Sequence, residues 1–372
     1  MTTSVRFSFV VLSFCLLAFS SARAQDSQLK WHSVADLPVE GRGWTDTKHM
    51  FDRLPAKAEA MVRRPVWDLA QHSAGFSVRF VTNATTISAR WTLRNSRLEM
   101  PHMPATGVSG VDLYVKTDGR WHYLGTGRPV KFPDNESVLV RDREAEEREF
   151  QLYFPLYNGV ERVEIGVPEN AVLGPARPRT ASAKPLVVYG TSITQGGCAS
   201  RPGMAYPAIL ERMLGISVIN LGFSGNGKTE PEMAQLLAEL DPAAYVLDSL
   251  ANLDTAQVGE RLPSFVEILR EKHPQVPIVL LGSVPYPDKS FVEKRNARFV
   301  GSNDIVQRLY DQRRAAGDRQ IYYLPSLDFL GADGEGTVDG VHPTDLGFQR
   351  MAEALAPQLR SILGLVPPAP LR

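Results

Sequence analysis

The spacing of apolar residues changes character once along this chain, and that change limits the fold more than any other feature. From Phe76 up to residues 174–185 the apolar period is two; after them, short apolar runs alternate with stretches of helical spacing. A period of two marks strands with one buried face. Apolar runs alternating with helices mark a parallel sheet covered on both sides. A chain of 372 residues with such a break is expected to fold as two units. Residues 174–185 hold three prolines and little apolar content, the composition of a linker.

In the front part, Phe76, Val78 and Phe80 alternate with less apolar neighbours, and after the turn Asn83-Ala84-Thr85 so do Ile87, Ala89, Trp91 and Leu93. Val111, Leu113 and Val115 give another strand, which Asp118-Gly119 turns back into 121–124. Strands at 149–154 and 160–167 flank Asn158-Gly159, read as a second hairpin turn. Residues 25–65 show no clear period. The pattern predicts a β-sandwich of jelly-roll type over residues 25–175. Trp44, Trp67, Trp91 and Trp121 fall in it, and packing explains them more simply than stacking on sugar rings. His32, His49, His72, His102 and His122 lack metal-site spacing and read as surface or hydrogen-bonded histidines.

Behind the break, buried strands are expected at 186–189, 218–221, 245–247, 278–281 and 321–324. Helices are expected at 205–214, 230–240, 258–273, 304–316 and 345–363. Five strands alternating with helices predict a flavodoxin-like three-layer α/β domain over 184–364, with a tail at 365–372.

Residues 1–24 read as a signal peptide. Arg6 precedes an apolar stretch from Phe7 to Phe19, and Ala22-Arg23-Ala24 offers a small-x-small cleavage site. The protein is therefore expected to be periplasmic or secreted in bacterial fashion, with no membrane-spanning segment after cleavage. Only Cys198 then remains, so no internal disulfide is expected; a small buried residue in a tight loop explains it better than a nucleophile. The 41 basic and 41 acidic residues cancel without a clustered basic face, which argues against nucleic acid as a partner.

Polar residues gather where the predicted parallel strands end, the edge at which open α/β sheets place their ligands. Ser192 follows the strand-ending Gly190. The second strand leads into Asn220-Leu221-Gly222-Phe223-Ser224-Gly225-Asn226-Gly227, whose glycines let backbone N–H groups approach a ligand. The third leads to Asp248, Asn252 and Asp254. Asp339-Gly340-Val341-His342 precedes the last helix, spaced so that both side chains can meet within one loop. A hydroxyl nucleophile needs a base, and the base needs a carboxylate to fix its tautomer. Ser192, His342 and Asp339 supply that set. The N–H groups of Ser192 and Gly225 and the Asn252 side chain are candidate oxyanion donors. Asp248 either supports the Asn252 loop or touches substrate.

Ser192, Gly225, Asn252 and His342, in that order and each at the end of a successive α/β element, resemble the four invariant positions of the SGNH (GDSL-like) hydrolases over about residues 184–364. The resemblance implies Ser192 as nucleophile and oxyanion donor, Gly225 and Asn252 as oxyanion donors, His342 as base and Asp339 as its orienter. Gly110-Val111-Asp112-Leu113-Tyr114 resembles the Gly-x-Asp-Leu-Tyr signature of a β-sandwich that precedes a subset of these enzymes. Two departures stand out. Gly190-Thr191-Ser192 replaces Gly-Asp-Ser, removing a carboxylate beside the nucleophile, and Leu250-Ala251-Asn252-Leu253 replaces Gly-x-Asn-Asp.

The expected function is an exported serine esterase, without metal or cofactor, hydrolysing short-chain esters such as the acetyl groups of an acetylated carbohydrate. Rivals are an acyltransferase using the same residues and a carbohydrate-binding protein with a vestigial site. A nucleotide binder is disfavoured because no phosphate loop with its lysine is present. Oligomeric state is left open.

Overall fold

In the computed structural model, which describes residues 28–179, 184–285, 287–288, 291–326 and 329–365, the front-half alternation builds two antiparallel sheets. One runs in the order Leu29–Ser33, Val160–Pro168, Ile87–Leu93, Asp134–Val140. The other runs Leu173–Pro175, Ser77–Thr82, Arg148–Tyr153, Val111–Thr117, Arg120–Gly127, with Val39–Glu40 also paired to Ser77–Thr82. Leaving out the two short flanking strands and numbering the rest along the chain, the orders are 1-8-3-6 and 2-7-4-5. That is a jelly roll. The alternating residues Val78, Phe80, Ile87, Trp91, Val111, Leu113, Phe150 and Leu152 fill its core.

Two strands escape the sequence pattern. Leu29–Ser33 and Asp134–Val140 lie at opposite edges of the first sheet and bury few side chains, so neither needs clean alternation. Asp118-Gly119 forms the expected hairpin turn, with φ of 51° and 76°. Asn158-Gly159 does not. The strands flanking it belong to opposite sheets, so this turn carries the chain across the sandwich. Asn158 is buried there because its amide exchanges hydrogen bonds with the Asn95 backbone, accepting at 3.0 Å and donating at 2.8 Å.

The second half forms a five-stranded parallel sheet in the order Val218–Gly222, Leu186–Gly190, Ala244–Asp248, Ile278–Leu281, Ile321–Leu324. This 2-1-3-4-5 order is flavodoxin-like. Its helices are Tyr206–Leu214, Pro231–Leu237, Thr255–Lys272, Glu293–Ala315 and Asp345–Leu363. The fourth begins eleven residues before apolar spacing places it, because Glu293, Lys294, Arg295 and Arg298 crowd its first turns. The fifth has its expected bounds. Thr344 Oγ1 accepts the Gly347 N–H at 3.1 Å at its start, and Gly364 in the left-handed region closes its end. Among the described residues no helix is long and apolar enough to cross a membrane. Residues 1–24 and most of the predicted tail lie outside the described residues.

The segment from Trp44 to Ala70, assigned above to the sandwich, sends Phe51 into the sandwich core but packs most of its apolar side chains on the parallel sheet. Trp44, Leu54, Val66, Trp67 and Ala70 share a core with Val187, Tyr189, Ile219 and Leu221. Arg53 is buried beneath it and donates to the carbonyls of Leu69 at 2.7 Å, His72 at 3.0 Å and Gly222 at 2.5 Å. The Gly-x-Asp-Leu-Tyr strand faces two ways. Val111 and Leu113 enter the sandwich core, while Asp112 and Tyr114 meet the α/β half through Arg201.

Candidate active site

Ser192 begins a one-turn helix, Ser192–Gln195, set directly on the strand ends. Two glycines permit that seat. A Cβ on Gly190 would lie 2.1 Å from Thr194 Oγ1 and 2.5 Å from Asp248 O, and one on Gly222 would lie 2.1 Å from the Gln195 nitrogen. Thr191 caps the helix, its Oγ1 accepting the Ile193 N–H at 3.2 Å. At the position where the resembled family carries aspartate, this chain therefore keeps a cap and lacks the charge.

Ser192 Oγ lies 2.9 Å from His342 Nε2. On the other side of the ring, His342 Nδ1 lies 2.7 Å from Asp339 Oδ2. A carboxylate at Nδ1 assigns that nitrogen the proton, leaving Nε2 free to accept one from Ser192. Asp339 Oδ1 accepts the N–H groups of Val341 at 3.0 Å and His342 at 2.8 Å, so one carboxylate folds the loop and orients the ring. Partial burial pushes its pKa up, but these hydrogen bonds outweigh burial and hold it below the usual carboxylate value. The structure thus joins the three residues in one hydrogen-bonded chain.

The candidate oxyanion donors come from the neighbouring loops. Among the described residues, neither the Ser192 N–H nor the Gly225 N–H has an acceptor. Gly225 has a φ of 67° in a turn where the Asn226 and Gly227 N–H groups both donate to Phe223 O at 2.8 Å. Asn252 ends the turn Leu250–Asn252. With its amide oxygen towards that loop, it accepts from the Asn226 N–H at 3.1 Å and the Gly227 N–H at 3.2 Å. Two such bonds replace the single 3.4 Å contact of the opposite orientation and release the NH₂ group. Arg298 fixes the turn, donating to Ala251 O at 2.7 Å and Leu253 O at 2.8 Å.

Asp248 supports the Ser192 helix. It is buried and accepts from Thr194 Oγ1 at 2.8 Å and from Tyr206 OH at 2.9 Å. Burial raises its pKa to about 6, with the two hydroxyls opposing. A folded pKa above the unfolded value means that stability present below about pH 4 is lost as pH rises through about 6. Asp248→Asn should flatten that slope, removing a loss of about 3 kcal/mol. Urea midpoints of both proteins between pH 4 and 7 would show it, and parallel curves would disprove it.

Several neighbours of Ser192 carry no signal in the sequence. Gln195 bridges three segments: its Nε2 lies 3.0 Å from Leu156 O and 3.1 Å from His72 Nδ1, and its Oε1 accepts the Ser224 N–H at 3.0 Å. Burial, with the charges of Arg53 and Arg94, pushes His72 down to about 3, so it is neutral and accepts. Tyr157 OH donates to Ser192 O at 3.4 Å. His102 reaches over the site, its ring 5.6 Å from that of His342. His72, Tyr157 and His102 come from the front half, far away in sequence. Cys198 is buried, and burial, with the Asp339 charge, raises its thiol to about 12. It is a protonated thiol, not a nucleophile. Of the four tryptophans named above, Trp44, Trp67 and Trp91 are buried, while Trp121 lines a groove of about 700 Å³ with Tyr114, Arg201 and Arg212.

Residues 29–173 match the family described as the N-terminus of Esterase_SGNH_hydro-type, and residues 183–360 match the GDSL-like Lipase/Acylhydrolase family. A protein from Bacteroides ovatus ATCC 8483, named as a GDSL-like lipase, is 36% identical with a TM-score of 0.86. That alignment covers 92% of this chain and 100% of the other. A salicylyl-acyltransferase from a tetracycline biosynthetic pathway is 20% identical with a TM-score of 0.70, covering 91% and 98%. A family two carbohydrate esterase from Clostridium thermocellum, in complex with cellohexaose, is 17% identical with a TM-score of 0.58, covering 79% and 94%. The last two are likenesses of fold. No curated protein matches the chain.

Proposed function

Because the chain belongs to the GDSL-like lipase/acylhydrolase family, we propose that it is an exported serine esterase removing short acyl groups, acetyl foremost, from carbohydrate hydroxyls. The observation that carries this reading is the hydrogen-bonded chain Ser192–His342–Asp339. In the proposed reaction His342 Nε2 takes the Ser192 proton as Oγ attacks the ester carbonyl. Asp339 offsets the charge that forms on the ring. The oxyanion is received by the N–H groups of Ser192 and Gly225 and the Asn252 NH₂. As the bond from the acyl carbon to the sugar oxygen breaks, His342 passes its proton to that oxygen, releasing the sugar hydroxyl and leaving an acyl group on Ser192. Water, deprotonated by His342, attacks that ester and releases the acid.

Carbohydrate as substrate is supported by the shared fold with family two carbohydrate esterases. Export is supported by the composition of residues 1–24, and the two units are read as 25–175 and 184–364. Acetate release from acetylated xylan and cello-oligosaccharides tests the assignment. Turnover of p-nitrophenyl acetate with no acetate from any acetylated glycan would remove the carbohydrate from it. Asn252→Ala should lower kcat about 10²–10³-fold with KM little changed, since that donor acts on the transition state. Steady-state kinetics check this, and an unchanged kcat would exclude the role. An acyltransferase begins with the same acyl-enzyme, and the fold shared with the salicylyl-acyltransferase keeps that reading in view. Transfer of the acyl group to an added sugar in preference to water would select it.

A further inference from the structure

We propose that the histidine serving Ser192 also belongs to a divalent-cation site, suited to zinc, through which the enzyme is shut off. His102, Cys198, Asp339 and His342 each bring one donor atom to within 4.8 Å of the other three. Around a tetrahedral zinc, with bonds of about 2.0–2.3 Å, donors stand about 3.3–3.8 Å apart. Closing the difference takes an ångström or so of side-chain movement, and the exposed His102 is free to make it. One sulfur, two imidazoles and one carboxylate form a donor set that zinc favours and that magnesium or calcium does not.

The donors come from three separate pieces of chain that the fold brings together. Met100 and Met103 exchange two backbone hydrogen bonds of 3.0 Å, so Pro101-His102 is the tip of a tight turn anchored by the buried Met103. Cys198 lies in the turn after the Ser192 helix, held by the Gly197 N–H to Ser192 O bond at 2.7 Å and the Ala199 N–H to Gly196 O bond at 3.1 Å. Asp339 and His342 share the loop described above. Neither His102 nor Cys198 has a part in the proposed ester chemistry. On binding, the thiol of Cys198 releases its proton to solvent and the cation keeps its 2+ charge, with no redox step. The bound cation occupies His342 and Asp339, and Ser192 loses its base.

The shut-off rests on the proposed role of His342, but the binding does not, and the experiment separates them. Equilibrium dialysis of the purified mature protein against zinc chloride is expected to give one zinc per chain, in wild type and in Ser192→Ala alike. Cys198→Ser and His102→Ala should each weaken binding at least about tenfold, a floor set by what outer-shell partners alone contribute. Without zinc, both variants should hydrolyse p-nitrophenyl acetate within about twofold of wild type. Zinc should abolish wild-type turnover, EDTA should restore it, and both variants should need at least about tenfold more zinc for the same inhibition. Absence of stoichiometric binding, or binding that neither substitution weakens, overturns the site. Binding that requires Cys198 and His102 yet leaves turnover intact overturns the shut-off. If His342→Ala remains fully active, the esterase reading has failed and the dialysis result stands by itself.

Discussion

Ser192→Ala is expected to reduce kcat for p-nitrophenyl acetate by at least about 10³-fold, and by up to about 10⁶-fold if the residues act as a unit. The residue is only 7% exposed, and among the described residues its hydroxyl bonds to His342 Nε2 alone. Removing a hydroxyl from that position takes away the proposed attacking atom and leaves the helix cap at Thr191 and the seat on Gly190 intact. His342→Ala should cost about as much, and the double variant little more, because neither residue achieves anything without the other. Asp339→Asn should cost somewhat less while keeping the loop folded, since the amide oxygen can still accept the Val341 and His342 N–H groups. Labelling by a fluorophosphonate probe should vanish in Ser192→Ala. A variant with more than a tenth of wild-type turnover would remove Ser192 from the mechanism.

The largest effect on stability is expected at Asp112. Its carboxylate is wholly buried, accepting from Arg201 Nη1 at 2.6 Å and from the Gly203 N–H at 3.0 Å. Burial pushes its pKa up while Arg201, Arg212 and the Gly203 N–H pull it down, so the charge depends on those partners. Asp112→Ala leaves a mostly buried guanidinium without its anion and a buried N–H without an acceptor. Breaking such a pair from one side costs about 3–5 kcal/mol. The expected result is a drop in Tm of several degrees with the sandwich and α/β sheet still folded, since Val111 and Leu113 keep their core positions. Thermal unfolding followed by circular dichroism would measure it. A Tm within a degree of wild type would mean that the two halves are held together elsewhere.

Much of the α/β half is legible in the sequence because its signals are local. Ile278–Leu281 and Asp345–Leu363 have the bounds that their apolar runs and caps imply. The five candidate site residues stand out for a similar reason: Ser192, Gly225 and Asn252 follow closely on predicted strands, and Asp339 and His342 sit in a short motif just before the last predicted helix. Elsewhere the information is not local. Leu29–Ser33 and Asp134–Val140 are edge strands, paired on one side only, and their side chains need not alternate. At Asn158-Gly159 a hairpin dipeptide bridges two sheets, because the buried amide of Asn158 finds its partners at Asn95 and Ser109. His72, His102 and Tyr157 approach Ser192 across large sequence separations, and nothing in their immediate neighbours encodes that approach. Arg298 is hidden in the polar start of a long helix, where its purpose is visible only once Ala251 and Leu253 lie beside it.

The stretch from Trp44 to Ala70 bears on how such an enzyme can be shortened or recombined. It is written into the front of the chain but completes the apolar face of the parallel sheet, with Arg53 closing on carbonyls beside the turn that carries Gly225. A polypeptide beginning near residue 184 would strip Trp44, Leu54, Val66, Trp67 and Ala70 from the core they share with Ile219 and Leu221. It would also lose the partner that His72 gives to Gln195. Exchange of front modules between relatives therefore has to move residues 44–72 together with the α/β half they cover. In this architecture the seam along which parts can be traded does not coincide with the seam along which the sequence changes its period.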